Sequence, residues 1–288
     1  MSLPPVRSIT LRTGEATFLK DGRDGHGTIV LLHGGGLDCA TLSWRHLFPA
    51  LIKTRLVIAP NWPGYAGTAP FARTYRIADL GAWLIDFLDA LDIEHSTLIG
   101  VSMGGGAALW SALHHPDRVD ALVPVGTYGL AQRVPHHLMS YLLTKLPLNA
   151  VSYAVMRRSR WALRQALQAI FADPDKVSHD ILMEVREVLS AAGTGEAFSQ
   201  FQRGEMTPRG LRTILTAQLP QITQPTLFIH GKADSLVPIA DIRQAASTLQ
   251  NARFEAMDAG HWPMRERPKE FNAIVTAFLD TLPTNHTT

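Results

Sequence analysis

Short, almost wholly apolar runs punctuate this chain, and several stop abruptly at a glycine or proline. Thr28–Leu32 reads TIVLL before His33-Gly34, Leu56–Ala59 reads LVIA before Pro60, and Ser96–Gly100 reads STLIG. Runs of this length and β-branched character predict strands buried on both faces. Val119–Val125, Pro225–Ile229 and Arg253–Met257 continue the series. Between them lie stretches of helical period. Arg76–Leu91 sets Leu80, Leu84, Phe87, Leu88 and Leu91 on one face, and Met103–His115, Pro238–Leu249 and Pro268–Leu282 follow. Ser8–Lys20 alternates loosely, ends at Asp21-Gly22 and predicts an N-terminal pair of strands. Strands alternating with helices predict an α/β fold: a mostly parallel central sheet covered by helices.

One region breaks the alternation. Leu130–Leu219 is rich in helical pattern and almost free of strand pattern, and its roughly 90 residues are too many for a loop. It therefore predicts an inserted helical subdomain over 130–219, with one core domain formed by 1–129 and 220–288.

Charge and composition narrow the class. The 288 residues carry 27 Lys+Arg against 25 Asp+Glu, a formal charge of +2, which speaks against nucleic acid as a partner. At 46% hydrophobic and 18% charged, the chain is a packed protein, and disorder is excluded as a global description. Cys39 is the single cysteine, so no disulfide can form within the chain. The start, MSLPPVRSIT, lacks a signal-peptide core, and the longest apolar stretch, Leu138–Met156, is interrupted by Lys145 and Pro147. The expectation is a cytoplasmic protein without integral membrane association, acting on a small molecule; a homo-oligomer is compatible with the sequence. His114-His115 and His136-His137 lack further ligands at useful spacing, so no metal and no cofactor are expected.

The sharpest chemical signal is Gly100-Val101-Ser102-Met103-Gly104, a G-x-S-x-G pentad between a predicted strand and a predicted helix. A tight strand-to-helix turn strains the serine backbone and exposes its hydroxyl, and small neighbours let the chain pass. Ser102 is the expected nucleophile. Serine needs a base held by an acid. His261, in the loop Asp258-Ala259-Gly260-His261 after the last strand, is the expected base. Asp234, just after the strand PTLFI, is the expected acid; Asp258 stands only three residues before His261, too close to face it easily. Backbone donors for an oxyanion are expected from Met103, after the nucleophile, and from the His33-Gly34-Gly35-Gly36 loop, with Gly35 the first candidate and Gly36 the alternative.

These pieces together resemble the α/β-hydrolase fold superfamily, in its cap-containing serine branch. The matching segments are LHGGG at 32–36, GVSMGG at 100–105, HPDRV at 115–119, HGKADSLVP at 230–238 and AGHWP at 259–263. The resemblance implies Ser102, Asp234 and His261 as a triad, Gly35 and Met103 as the oxyanion hole, and the insertion as a helical cap over the pocket. Gly36, Tyr128 and Trp262 are further candidates for substrate contact. Arg157, Arg160, Trp161 and Arg164 fall at i, i+3, i+4 and i+7, which on one helix would share a face. A solvated basic face is the plainer reading of that set; contact of Arg160 with a substrate carboxylate is the sharper one, and membrane-surface attachment a third, set against the shortness of the cluster.

Ester or lactone hydrolysis through an acyl-enzyme on Ser102 is the leading reading. Hydrolysis of a carbon–carbon bond in a diketone or dienone ring-cleavage product ranks second. The HGGG loop and His261-Trp262 resemble that subgroup, whereas Val101 and Leu37-Asp38 depart from its pattern. A ligand-binding protein on the same fold is the reading from another class.

Overall fold

A computed structural model describes residues 3–23, 26–134, 136–146, 148–190 and 195–283. A few positions of the expected insertion therefore lie outside the described residues. Eight strands form one sheet: β1 (Arg7–Leu11), β2 (Gly14–Asp21), β3 (Thr28–Leu32), β4 (Leu56–Pro60), β5 (Ser96–Val101), β6 (Val119–Val125), β7 (Thr226–Gly231) and β8 (Ala252–Met257). Their spatial order is β1-β2-β4-β3-β5-β6-β7-β8. The first two strands pair antiparallel and β2 joins β4 antiparallel; all pairings from β4 through β8 are parallel.

The apolar runs alternate by face, as the pleat requires. Ile29 and Leu31 of β3 enter one core layer, and Val30 and Leu32 the other. Helices cover both faces. In chain order they are α1 (Ala40–Ser43), α2 (Phe48–Leu51), α3 (Ile77–Ala90), α4 (Met103–His114), α5 (His137–Thr144), α6 (Leu148–Arg158), α7 (Arg160–Gln168), α8 (His179–Ser190), α9 (Glu196–Glu205), α10 (Ile239–Ala246), α11 (Pro263–Glu266) and α12 (Pro268–Leu279). The main strands and helices lie within a few residues of their sequence-predicted bounds. The turn of the first hairpin is at Arg12-Thr13, where Gly14 takes φ +113°, and not at Asp21-Gly22. The four-residue helices α1, α2 and α11 are too short to leave a periodic signal.

Among the described residues, the helices α5–α9 lie between β6 and β7. They share a core with the sheet: Tyr153, Leu163, Leu167 and Val185 belong to the same buried cluster as Ile99, Val125 and Trp262. Two carboxylates, the buried Glu205 and the half-buried Glu184, fasten the same join. Glu205, at the end of α9, accepts from the Ile77 N–H at the start of α3 (2.8 Å) and from the Thr213 hydroxyl (2.6 Å). Its charge thus sits at a helix N-terminus. Glu184 of α8 is shared between Arg45 (2.8 Å) and Arg265 (2.6 Å).

The helices α3 and α4 approach at Gly81, where a Cβ would run into the Trp110 ring. Alanine for glycine inside a helix ordinarily gains about 1 kcal/mol. Gly81→Ala should instead cost about 1–3 kcal/mol by overpacking, read as a lower thermal midpoint; a raised midpoint would contradict this packing.

Candidate active site

Ser102 sits at the carboxyl end of β5 with φ 52° and ψ −115°, a left-handed strained conformation for a residue with a Cβ. Three backbone hydrogen bonds hold it. Its N–H donates to the Val125 carbonyl (2.8 Å), and its carbonyl accepts from Gly106 and Tyr128 (both 3.0 Å). The glycines around it answer contacts that permit no side chain. A Cβ at Gly100 would overlap the Gly104 backbone, one at Gly104 the Leu32 carbonyl, and one at Gly105 the Thr127 side chain.

His261 and Asp234 meet as the sequence reading expected. Their Nδ1 and Oδ2 lie 2.8 Å apart, with the aspartate side chain 1% exposed. The other carboxylate oxygen, Oδ1, accepts from the Leu236 and Val237 N–H groups at 2.8 and 3.0 Å, an Asx turn that aims Oδ2 at the ring. Burial pushes the Asp234 carboxyl up, but the hydrogen bond and charge of His261 outweigh it and leave it below the ordinary aspartate value. An ionised Asp234 keeps the proton on Nδ1 of His261. Asp258, the rival acid, is exposed and paired with Lys232 (2.7 Å). Behind the pair stands Gly126, at φ +46°, where a Cβ would come 3.1 Å from Asp234 Oδ2 and 3.3 Å from His261 Nδ1. No sequence signal distinguished that glycine from an ordinary turn.

The loop that carries His261 is tied to the helical insertion. The His261 N–H donates to the Ile170 carbonyl (2.7 Å), just beyond α7. Glu266 accepts from Gly260 (2.8 Å) and also from Ala172 (3.1 Å) and Asp173 (2.9 Å). Ser235 donates to the Ala169 carbonyl (2.7 Å).

The glycine loop after β3 is equally fixed. His33 is fully buried; its Nε2 accepts from the Trp62 N–H (3.0 Å), so the ring proton is on Nδ1 and faces the Gly34 carbonyl (2.7 Å). Burial lowers its pKa to about 3, and the ring is neutral. The Gly34 N–H is taken by Asp38 (2.7 Å). The Gly36 N–H faces the Tyr65 hydroxyl, which leaves Gly35 as the donor of this loop. Among the described residues the N–H groups of Gly35 and Met103 have no acceptor in the protein. Phe198 covers Gly35 closely enough that a Cβ there would strike its ring.

Ser102, Met103, Gly35, Gly36, Tyr128, Trp262 and His261 share the wall of one cavity of about 500 Å³. The wall is mostly apolar, completed by side chains of the insertion such as Leu167, Phe198 and Phe201. Tyr128 donates to Glu205 (3.3 Å), and Trp262 packs edge-on to Phe171. Arg160 does not reach the cavity: it is exposed, with its guanidinium 3.2 Å from Met183 Sδ. The four-residue basic face expected across 157–164 is split, because Ser159 caps a new helix, accepting from the Ala162 N–H (3.2 Å). Arg133 is the cation that lines the cavity among the described residues; its Nε donates to the Arg209 carbonyl (3.0 Å).

Asp38 escaped the sequence reading because its role is carried by burial. It accepts from Gly34, Cys39 (2.8 Å) and Ser43 (2.7 Å). Desolvation raises its pKa to about 6 against those bonds and the charge of Arg265. The folded state thus holds this proton more tightly than the unfolded chain. Its stabilising contribution is complete below about pH 4 and disappears as pH rises through about 6. Relative to Asp38→Asn, the natural protein should lose on the order of 3 kcal/mol between those limits, measured by denaturant titration at each pH. A difference independent of pH would overturn the assignment.

A family model described as "alpha/beta hydrolase fold" matches residues 27–268. The chain is 31% identical to 2-hydroxymuconate semialdehyde hydrolase of Pseudomonas sp. (strain CF600), covering 96% of this chain and 94% of that one. It is 30% identical to 2-hydroxy-6-oxo-2,4-heptadienoate hydrolase of Pseudomonas putida F1, over 95% and 96% of the two chains. A solved meta-cleavage product hydrolase from Pseudomonas fluorescens IP01 superposes with a TM-score of 0.80 at 26% identity, over 95% of this chain and 97% of that one.

Proposed function

The chain belongs to the alpha/beta hydrolase fold family, and on that premise we propose that it is a serine hydrolase cleaving a carbon–carbon bond in a diketone- or dienone-type ring-cleavage product. The observation that carries hydrolysis is the Asp234–His261 pair at 2.8 Å behind the same cavity wall as the strained Ser102. The choice of bond rests on the relatives, whose names specify dienoate and semialdehyde substrates. It reverses the order of the two hydrolytic readings that the sequence alone favoured.

His261, its Nδ1–H held by Asp234, takes the Ser102 proton at Nε2 as Oγ bonds to the ketone carbon. The Gly35 and Met103 N–H groups hold the resulting oxyanion. An ordinary alkyl carbanion is too poor a leaving group for this step. A carbon conjugated to a second carbonyl accepts the electron pair as a delocalised dienolate and then takes the proton from His261. Water deprotonated by His261 frees the acid from Ser102. The helices α5–α9 act as the cap that keeps bulk water from the cavity. Arg133 meets the substrate carboxylate, the part that the sequence reading gave to Arg160.

Ester hydrolysis is the second reading, favoured by one specific feature. Val101, before the nucleophile, is buried in the core and offers no polar atom to an enol oxygen. Both readings share the acyl-enzyme and separate by substrate. The purified protein should bleach a coloured 2-hydroxy-6-oxo-dienoate with a kcat/KM at least about tenfold above that for a p-nitrophenyl ester; the reverse ratio would install the ester reading. Arg133→Met should raise KM for the dienoate roughly tenfold and leave a neutral ester unaffected. Ser102→Ala should lose at least about 1000-fold in turnover of either substrate, and Asp234→Asn about 10,000-fold. Failure of Ser102 to react with a fluorophosphonate would favour a binding protein.

A further inference from the structure

Two consecutive helices of the insertion turn apolar side chains outward. Leu138, Met139 and Leu142 on α5 and Leu148, Val151 and Val155 on α6 are each between 39% and 60% exposed. Scattered exposed hydrophobes are ordinary, but a set gathered on two adjoining helices marks an interaction surface. On α6 the spacing is regular: Leu148, Val151 and Val155 stand at i, i+3 and i+7, and Arg158 continues the row.

Along its own stretch of chain, the charge of this surface has one sign. From residue 121 to residue 172 the sequence contains no aspartate or glutamate, yet it holds Arg133, Lys145, Arg157, Arg158, Arg160 and Arg164. Lys145 follows α5 directly, and Arg157 and Arg158, both exposed, close α6. Acidic side chains return with Asp173 and then on the helices packed against α6, as Asp180, Glu184 and Glu187 of α8 and Glu196 of α9, the last paired with Arg203. The Glu184 carboxylate of α8 is already engaged by Arg45 and Arg265.

We infer that α5 and α6 form a docking surface for an anionic lipid bilayer, with the apolar side chains in the acyl–headgroup boundary and the basic ones among the headgroups. Exposed apolar helix faces flanked by arginine and lysine are the pattern of helices that lie in a membrane interface. The contact is peripheral, since no helix among the described residues is long and apolar enough to cross a membrane. A second copy of the chain fits the surface less well. A two-fold contact through α5 and α6 would set the same cations against one another, with no carboxylate from this segment to answer them. The inward sides of the same helices supply Ser140 and Tyr153 to the cavity wall. Docking therefore lays the roof of the cavity on the lipid, whichever bond the enzyme cleaves.

The test is co-sedimentation of the full chain with vesicles of phosphatidylglycerol or of phosphatidylcholine. Retention should be at least about tenfold stronger on phosphatidylglycerol and should weaken with added salt. The double variants Leu142→Asp/Val151→Asp and Arg157→Glu/Arg158→Glu should each lose about tenfold or more of that retention, with turnover in vesicle-free buffer unchanged. All four positions are exposed; should the first pair fold poorly, the arginine pair carries the test alone. Three outcomes overturn the proposal: no retention on anionic vesicles, equal retention of natural and variant proteins, or a solution dimer that Leu142→Asp/Val151→Asp converts to monomer.

Discussion

Backbone meets backbone around Ser102 at distances that leave no room for a Cβ, and the rest of the site is arranged about that constraint. The end of β5, the first turn of α4 and the end of β3 converge there through Gly100, Gly104 and the Leu32 carbonyl. The contacts force the serine to φ 52° and push its hydroxyl away from the sheet. Such strain costs of order 1–3 kcal/mol and persists only where the surroundings over-determine it. Parallel pairing of β5 with β3 and β6 provides that surplus, because all three strands are buried on both faces.

A second layer of order comes from carboxylates that accept hydrogen bonds from backbone N–H groups. Asp38 organises the glycine loop, and Glu266 gathers N–H groups from the His261 loop and from the chain after α7. Glu205 joins the end of α9 to the start of α3. Each satisfies backbone donors that burial would otherwise leave costly and unpaired. Each also ties segments distant in the chain, so the insertion and the sheet share one framework.

How much of this the sequence disclosed depends on whether a feature is local. The pentad around Ser102 and the buried strands are local patterns, with steric causes that act within a few residues. Asp234 and His261 were legible because each directly follows a strand, where side chains reach the carboxyl edge of a parallel sheet. Asp38, Glu205 and Glu266 were not, since nothing in the residues beside them distinguishes a buried acceptor from a solvated charge. The basic stretch shows the converse error. Periodicity alone joined Arg157 to Arg164, whereas the Ser159 hydroxyl starts a new helix and divides them.

The hydrogen bond from the His261 N–H to the Ile170 carbonyl bears on how the molecule assembles. Residues 170 and 261 are far apart in sequence, and the loop between them closes only after α8, α9, β7 and β8 have found their places. Contacts between such remote positions form late, because chain entropy is spent before they repay it. The orientation of the His261 loop therefore depends on the sheet edge and the helices between β6 and β7 being in register. Ring orientation at His261 is thus a property of the whole tertiary structure and not of its own loop.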